Sequence, residues 1–152
     1  MSSDRNREAK GYARAPGEGK VLSIPTGPRM EVKASADETD GRFGLIESHK
    51  VGDVPPHVHE NDDEAFYILE GEYEIRCGDQ TFQASPGTFV YLPHGVPHAQ
   101  RLKSDTAKKL ILIAPGGFEN WFIERSEAMK DGRYDEALAD DLNSRYGIKW
   151  LD

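Results

Sequence analysis

The chain has 152 residues, with 27 Asp+Glu against 19 Lys+Arg for a net charge of −8, and a hydrophobic share of 37%. That is the size of one domain with enough apolar residues for a core, which excludes a chain disordered throughout. An acidic chain without a Lys/Arg cluster lacks the basic footprint that nucleic acids and anionic membranes require, so the expected partner is a small-molecule substrate, with no nucleic acid and no membrane.

Residues 1–20 are polar and charged with no apolar segment, and are expected to form a flexible N-terminal arm. From residue 21 the pattern turns to short β-type runs. The first, 21–24, ends at Pro25, and in the second Met30, Val32 and Ala34 alternate with Glu31 and Lys33, the period of a half-buried strand. A loop over 36–41 leads into a strand at 43–48. Further strands are predicted at 65–69, 73–77, 81–84, 88–92, 98–102 and 109–114, punctuated by Gly71, Gly78-Asp79 and Ser85-Pro86-Gly87. Strands this close, with no helix between them, must pair antiparallel, and eight or more close most naturally as a barrel or double-sheet jelly roll.

The period changes after Ala114-Pro115-Gly116-Gly117. Phe118, Trp121, Phe122 and Met129 recur at helical spacing until Asp131-Gly132, and Tyr134, Leu138, Leu142 and Tyr146 then place an apolar residue every fourth position before Gly147, a C-terminal cap. The expected organisation is therefore an arm (1–20), an all-β barrel (21–114) and a C-terminal extension of two helices (115–152). Cys77 is the only cysteine. It excludes an intramolecular disulfide and a cysteine-based zinc site, fits a reducing, cytoplasmic compartment, and reads as a small buried hydrophobe.

Four of the five histidines fall in two short stretches, Pro55-Pro56-His57-Val58-His59 and Leu92-Pro93-His94-Gly95-Val96-Pro97-His98. On a strand, His57 and His59 project to one face, and the register of 64–69 puts Glu64, Phe66 and Ile68 on one face as well. A carboxylate on an apolar face needs a partner, and a divalent cation shared with imidazoles satisfies it. His94, in the turn before Gly95, and His49, ahead of the first stretch, are given no role.

These residues resemble the cupin family. Gly52 with His57-x-His59, Glu64 and Gly71 is similar to the first cupin motif, and Gly87, Pro93, Gly95 and His98 to the second. Two departures spare the ligands: four residues rather than five separate Gly52 from His57, and Leu102 stands where many cupins have Asn. The resemblance implies a cupin double-stranded β-helix, a jelly-roll barrel, with one divalent transition metal held by His57, His59, Glu64 and His98. Three imidazole nitrogens and one carboxylate oxygen suit Fe, Mn, Ni, Co or Zn alike.

The stretch from His57 to Gly71 is similar to small single-domain bacterial members of the quercetin dioxygenase branch. The resemblance thus implies a metal-dependent dioxygenase acting on a small enolisable or aromatic, flavonol- or polyketide-like substrate, with Glu64 as general base. A metal acting only as a Lewis acid would instead serve an isomerase, a lyase or a polyketide cyclase. A cupin that binds or senses a ligand without turnover is a third reading. Strand parity assigns Phe66, Ile68, Gln100 and Leu102 to the cavity wall and no Arg or Lys, an apolar chamber suited to a neutral or aromatic ligand. Phe118, Trp121 and Phe122, beyond the Gly116-Gly117 hinge, are expected to cap its mouth. The apolar outer face of Ala65, Tyr67 and Leu69 suggests a homodimer.

Overall fold

The computed structural model describes residues 10–23 and 28–151. Among these, two antiparallel sheets face each other. One carries β1 (Lys20–Ser23), β2 (Arg29–Ala34), β3 (Gly44–His49), β10 (Lys108–Ala114), β5 (Asp63–Glu70) and β8 (Phe89–Leu92), in the order β1-β2-β3-β10-β5-β8. The other carries β11 (Ile148–Trp150), β4 (Val54–His59), β9 (His98–Leu102), β6 (Tyr73–Cys77) and β7 (Gln80–Ala84), in the order β11-β4-β9-β6-β7. From β3 onward the chain crosses between the sheets at every step except the β6–β7 hairpin, whereas β1, β2 and β3 stay in one sheet; this is the jelly-roll arrangement expected from the strand spacing. Ile24, the last residue of the first expected strand, lies outside the described residues.

Period-two patterning sorts the strands. In β3, Gly44, Ile46 and Ser48 face inward, and in β6 Tyr73, Ile75 and Cys77 do so; with Ile68, Leu92, Ile111 and Ile113 they fill the space between the sheets. Cys77 is a free, buried thiol whose pKa burial raises. Gly71 closes the β5–β6 turn at φ +95°, where a Cβ would run into the Thr106 carbonyl oxygen.

Two expectations change. Residues 10–19, read as part of a free arm, are anchored along β2: Arg14 donates to the Lys33 carbonyl at 2.6 Å and pairs with Glu38, and the Gly17 N–H donates to Glu31 Oε1 at 2.8 Å. This cover buries Glu31, which strand alternation had assigned to solvent. The C-terminal extension is also more than two helices. After α1 (Glu119–Lys130) and α2 (Glu136–Tyr146), with Asp135 accepting from the Leu138 N–H as N-cap and Gly147 left-handed as C-cap, the chain re-enters the barrel as β11. A three-residue strand offers too few positions for its period to show in the sequence.

Candidate metal centre and its cavity

Each sheet contributes to one buried cluster. Strand β4 turns His57 and His59 inward, β9 presents His98 directly across the ladder from His57, and β5 of the opposite sheet supplies Glu64. All four are buried, and one ligand atom from each lies within 4.8 Å of the others. Glu64 Oε2 sits 3.2 Å from His59 Nε2 and 3.1 Å from His98 Nε2. An ion bound at about 2.1 Å from each donor needs donors roughly 3 to 4.2 Å apart, so these pairs already have the separation that a shared cation requires.

Protonation supports the same reading. His57 Nδ1 is 2.8 Å from the Pro55 carbonyl oxygen. A carbonyl can only accept, so Nδ1 carries the proton and Nε2 keeps its lone pair for a ligand bond. Burial, and then the neighbouring His98, lower the His57 pKa to about 4, which keeps this imidazole neutral near pH 7. Burial by itself would raise Glu64, but the His59 and His98 imidazoles close against it outweigh burial and hold the carboxyl well below the usual range. His98 Nε2 is buried without a hydrogen-bond partner, despite lying so close to Glu64. An imidazole nitrogen without a hydrogen-bond partner beside an ionised carboxylate is a donor pair that a cation would satisfy, and the residues fit a transition metal.

A second acid/His group, Glu31, Glu47 and His49, is already neutralised by Lys33, Arg29 and Lys108. His94 is an exposed turn residue bonded to Asp63 at 2.7 Å, outside the cluster.

The cluster opens into a cavity of about 370 Å³. Phe66 and Gln100 line it, and so do Phe118, Trp121 and Phe122, whereas Ile68 and Leu102 do not. Both have the right strand parity. Ile68, opposite Lys109, is fully buried in the core, and Leu102, opposite Tyr73, packs against that core. Parity fixes the side of a strand but not the depth along it.

The expectation of a chamber without cations is corrected by Lys109 and Arg125, both of which line it. Lys109 was legible: it opens the alternation Lys109, Ile111, Ile113 of β10, all three buried. Trp150 was not, because β11 itself was missed; its indole lies 4.9 Å, centre to centre, from the His57 ring. On the same side Phe118 meets His59 edge-on at 4.4 Å and stacks on Trp121 at 5.4 Å. Trp121 Nε1 donates to Asn143 Oδ1 at 3.0 Å, which ties α1 to α2. Phe118, at the start of α1, and Trp121 within it thus form a buried, braced wall.

The chain matches the cupin domain family over residues 44–114. It belongs to the cupin superfamily. It is 34% identical over 114 residues to quercetin 2,3-dioxygenase of Bacillus subtilis, a match covering 73% of this cupin but only 33% of that enzyme. This cupin's fold is also that of KdgF from Halomonas sp., at TM-score 0.63 and 18% identity over 73% of this chain and 99% of the other. The polyketide cyclase RemF from Streptomyces resistomycificus superposes at TM-score 0.57 and 22% identity, over 70% and 80% of the two chains. Among the described residues no helix is long and apolar enough to cross a membrane.

Proposed function

We propose that this cupin is a metal-dependent dioxygenase acting on a small enolisable or aromatic substrate, flavonol- or polyketide-like, at a mononuclear centre held by His57, His59, Glu64 and His98. The observation that carries the reading is the position of this ligand set: all four residues are buried, and they line an aromatic-walled cavity of about 370 Å³. The relationship to the quercetin dioxygenase supports it.

A redox-active divalent ion bound there supplies Lewis acidity and a route for electrons between substrate and dioxygen. The protein's own part is concrete. Glu64, ionised and next to the bound substrate, takes the proton of its acidic hydroxyl at Oε2. Phe118, Trp121 and Trp150 stack the ring and exclude water, while Phe66 closes the opposite side.

A second reading draws on one observation. Glu64 and Lys109 are two ionisable groups facing one cavity, and such a pair can take and return a proton without oxygen, as an isomerase, lyase or cyclase requires.

Elemental analysis of freshly purified protein, beside the His57→Ala variant, followed by an oxygen-electrode screen with flavonols and other enolisable aromatics, separates these. The expected result is close to one equivalent of metal per chain, lost in the variant, with oxygen consumed on substrate addition. Turnover without oxygen uptake selects the proton-transfer reading. Failure to take up Fe, Mn, Ni, Co or Zn on reconstitution overturns both.

A further inference from the structure

The cavity has a second polar end, built from residues that the metal centre does not use. Lys109 on β10 is 3% exposed. Its ammonium donates to Gln100 Oε1 on β9 and lies 3.5 Å from the centre of the Phe66 ring. The Gln100 amide is itself oriented, since Nε2 donates to the Gly52 carbonyl at 2.7 Å and its oxygen is thereby turned to the lysine. Among the described residues no carboxylate lies within salt-bridge distance of Lys109; the carboxylate whose charge reaches it is Glu64, which belongs to the candidate metal cluster and which a cation there would neutralise.

A buried ammonium is costly, and proteins place one either against a counter-charge or where a ligand supplies it. Lys109 has three N–H donors. One is taken by Gln100 and the Phe66 face receives the charge without accepting a strong hydrogen bond, so the amine enters the cavity incompletely satisfied. The balance of charge around the cavity points the same way. Asp53 and Glu64 offset Lys109 and Arg125 among the lining residues, so a divalent ion leaves the chamber with an excess of positive charge that an acid would neutralise. Burial lowers the Lys109 pKa to about 7, and an anion beside it would raise it again.

We propose that Lys109, positioned by Gln100, is a substrate-binding residue that holds an acidic oxygen of the ligand, a carboxylate or an ionised phenol or enol, other than the atoms that would meet the metal. The substrate is then an aromatic or enolisable acid rather than a neutral aromatic. The inference rests on the reading of this cavity as the substrate site. It assigns a role to a lysine that a purely apolar chamber would not keep, because methionine fills the same volume without the desolvation cost.

The test is calorimetric binding of benzoate, phenylacetate and cinnamate, each against its own carboxamide, to the metal-loaded wild type and to Lys109→Met. Acid and amide share shape, and any share of the affinity owed to the metal is common to both proteins. The expected result is an acid-over-amide preference of at least about tenfold in the wild type for one or more of the three. In Lys109→Met that preference falls to within about twofold, while amide affinity and metal content are retained and a cooperative melting transition shows the variant folded. If Lys109→Met does not fold, Lys109→Gln makes the same comparison with a polar, uncharged side chain. The inference is overturned if no acid binds better than its amide to the wild type, or if the preference survives loss of the lysine charge. Absence of oxygen uptake would remove the dioxygenase reading and leave this ratio standing. Oxygen uptake on a neutral flavonol with no acid preference would remove the role of Lys109 alone.

Discussion

Trp150 stands directly opposite His57 in the β4–β11 ladder, and the two rings lie 4.9 Å apart, centre to centre. The C-terminal strand therefore covers a candidate metal ligand with a tryptophan that is still 42% exposed and lines the cavity. Trp150→Ala is expected to keep the metal, because His57 is oriented by its Nδ1 bond to the Pro55 carbonyl rather than by the indole. It should weaken aromatic ligands by about tenfold, the order of one stacking contact with its buried area. Elemental analysis and titration of the same preparation check both halves. Loss of metal would show that β11 holds the histidine in place.

Glu64 is the one candidate ligand from the β5 sheet and the proposed base, so Glu64→Gln separates binding from chemistry. The amide keeps the shape and a carbonyl oxygen for the ion but loses the charge that balances it and the capacity to take a proton. Metal content is expected to fall, and to recover with excess ion. Turnover should stay depressed by about 10²-fold or more after reconstitution. Full activity in reloaded Glu64→Gln would assign the base elsewhere, with Lys109 the next group in the cavity.

Much of this was legible because period-two patterning and short-range spacing are local. His57-x-His59, Glu64 and His98 each sit on a strand whose alternation is visible from a few residues, and their convergence follows from closing the barrel. What alternation cannot show is depth along a strand, which is why Ile68 and Leu102 read as cavity residues and are not. Neither can it show what a segment elsewhere in the chain covers. Glu31 is buried by the arm, and His57 by Trp150, through contacts across 12 or more residues that no local window contains. Lys109 is the different case: its parity with Ile111 and Ile113 was there to read, and the presumption that a lysine faces water concealed it.

Trp121 tests whether the aromatic wall of α1 moves. Its indole is 6% exposed, stacks on Phe118 and bonds to Asn143, so it behaves as packing. Trp121→Ala should cost about 3–5 kcal/mol, the usual range for a buried aromatic truncated to Ala, and should also loosen ligand binding because the ring faces the cavity. A denaturant melt and a ligand titration check it. A large change in affinity with unchanged stability would instead describe a mobile lid.

The outer face of the β10-β5-β8 sheet carries the proposed dimer contact. Leu112, Tyr67, Phe89 and Tyr91 are all exposed there, in adjacent cross-strand positions: Tyr67 pairs with Phe89, and Ala65 with both Leu112 and Tyr91. Two copies of a chain with net charge −8 repel, and a mainly aromatic face, with Asp63 held by Tyr91 at its edge, is where they can meet at least cost. Light scattering should give twice the chain mass for the wild type and the chain mass for Tyr67→Glu/Phe89→Glu, with metal content unchanged. A monomeric wild type would dispose of the dimer.

The buried lysine also makes stability depend on pH in a calculable direction. Burial lowers the Lys109 pKa from 10.5 to about 7, so between these values the unfolded chain binds a proton that the folded chain does not. Stability must then rise with pH across that window, and below pH 7, where both states are protonated, the cost of the charge is complete at roughly 3–5 kcal/mol. Lys109→Met escapes this cost but leaves Gln100 Oε1 without its donor, a loss of about 1–3 kcal/mol. The variant is expected to be more stable than the wild type at pH 6, by about 1–3 kcal/mol, with the advantage gone near pH 9.5. Urea melts of both proteins from pH 6 to 9.5 measure the difference. A gap that stays constant with pH would mean that Lys109 titrates normally and that its ammonium reaches water.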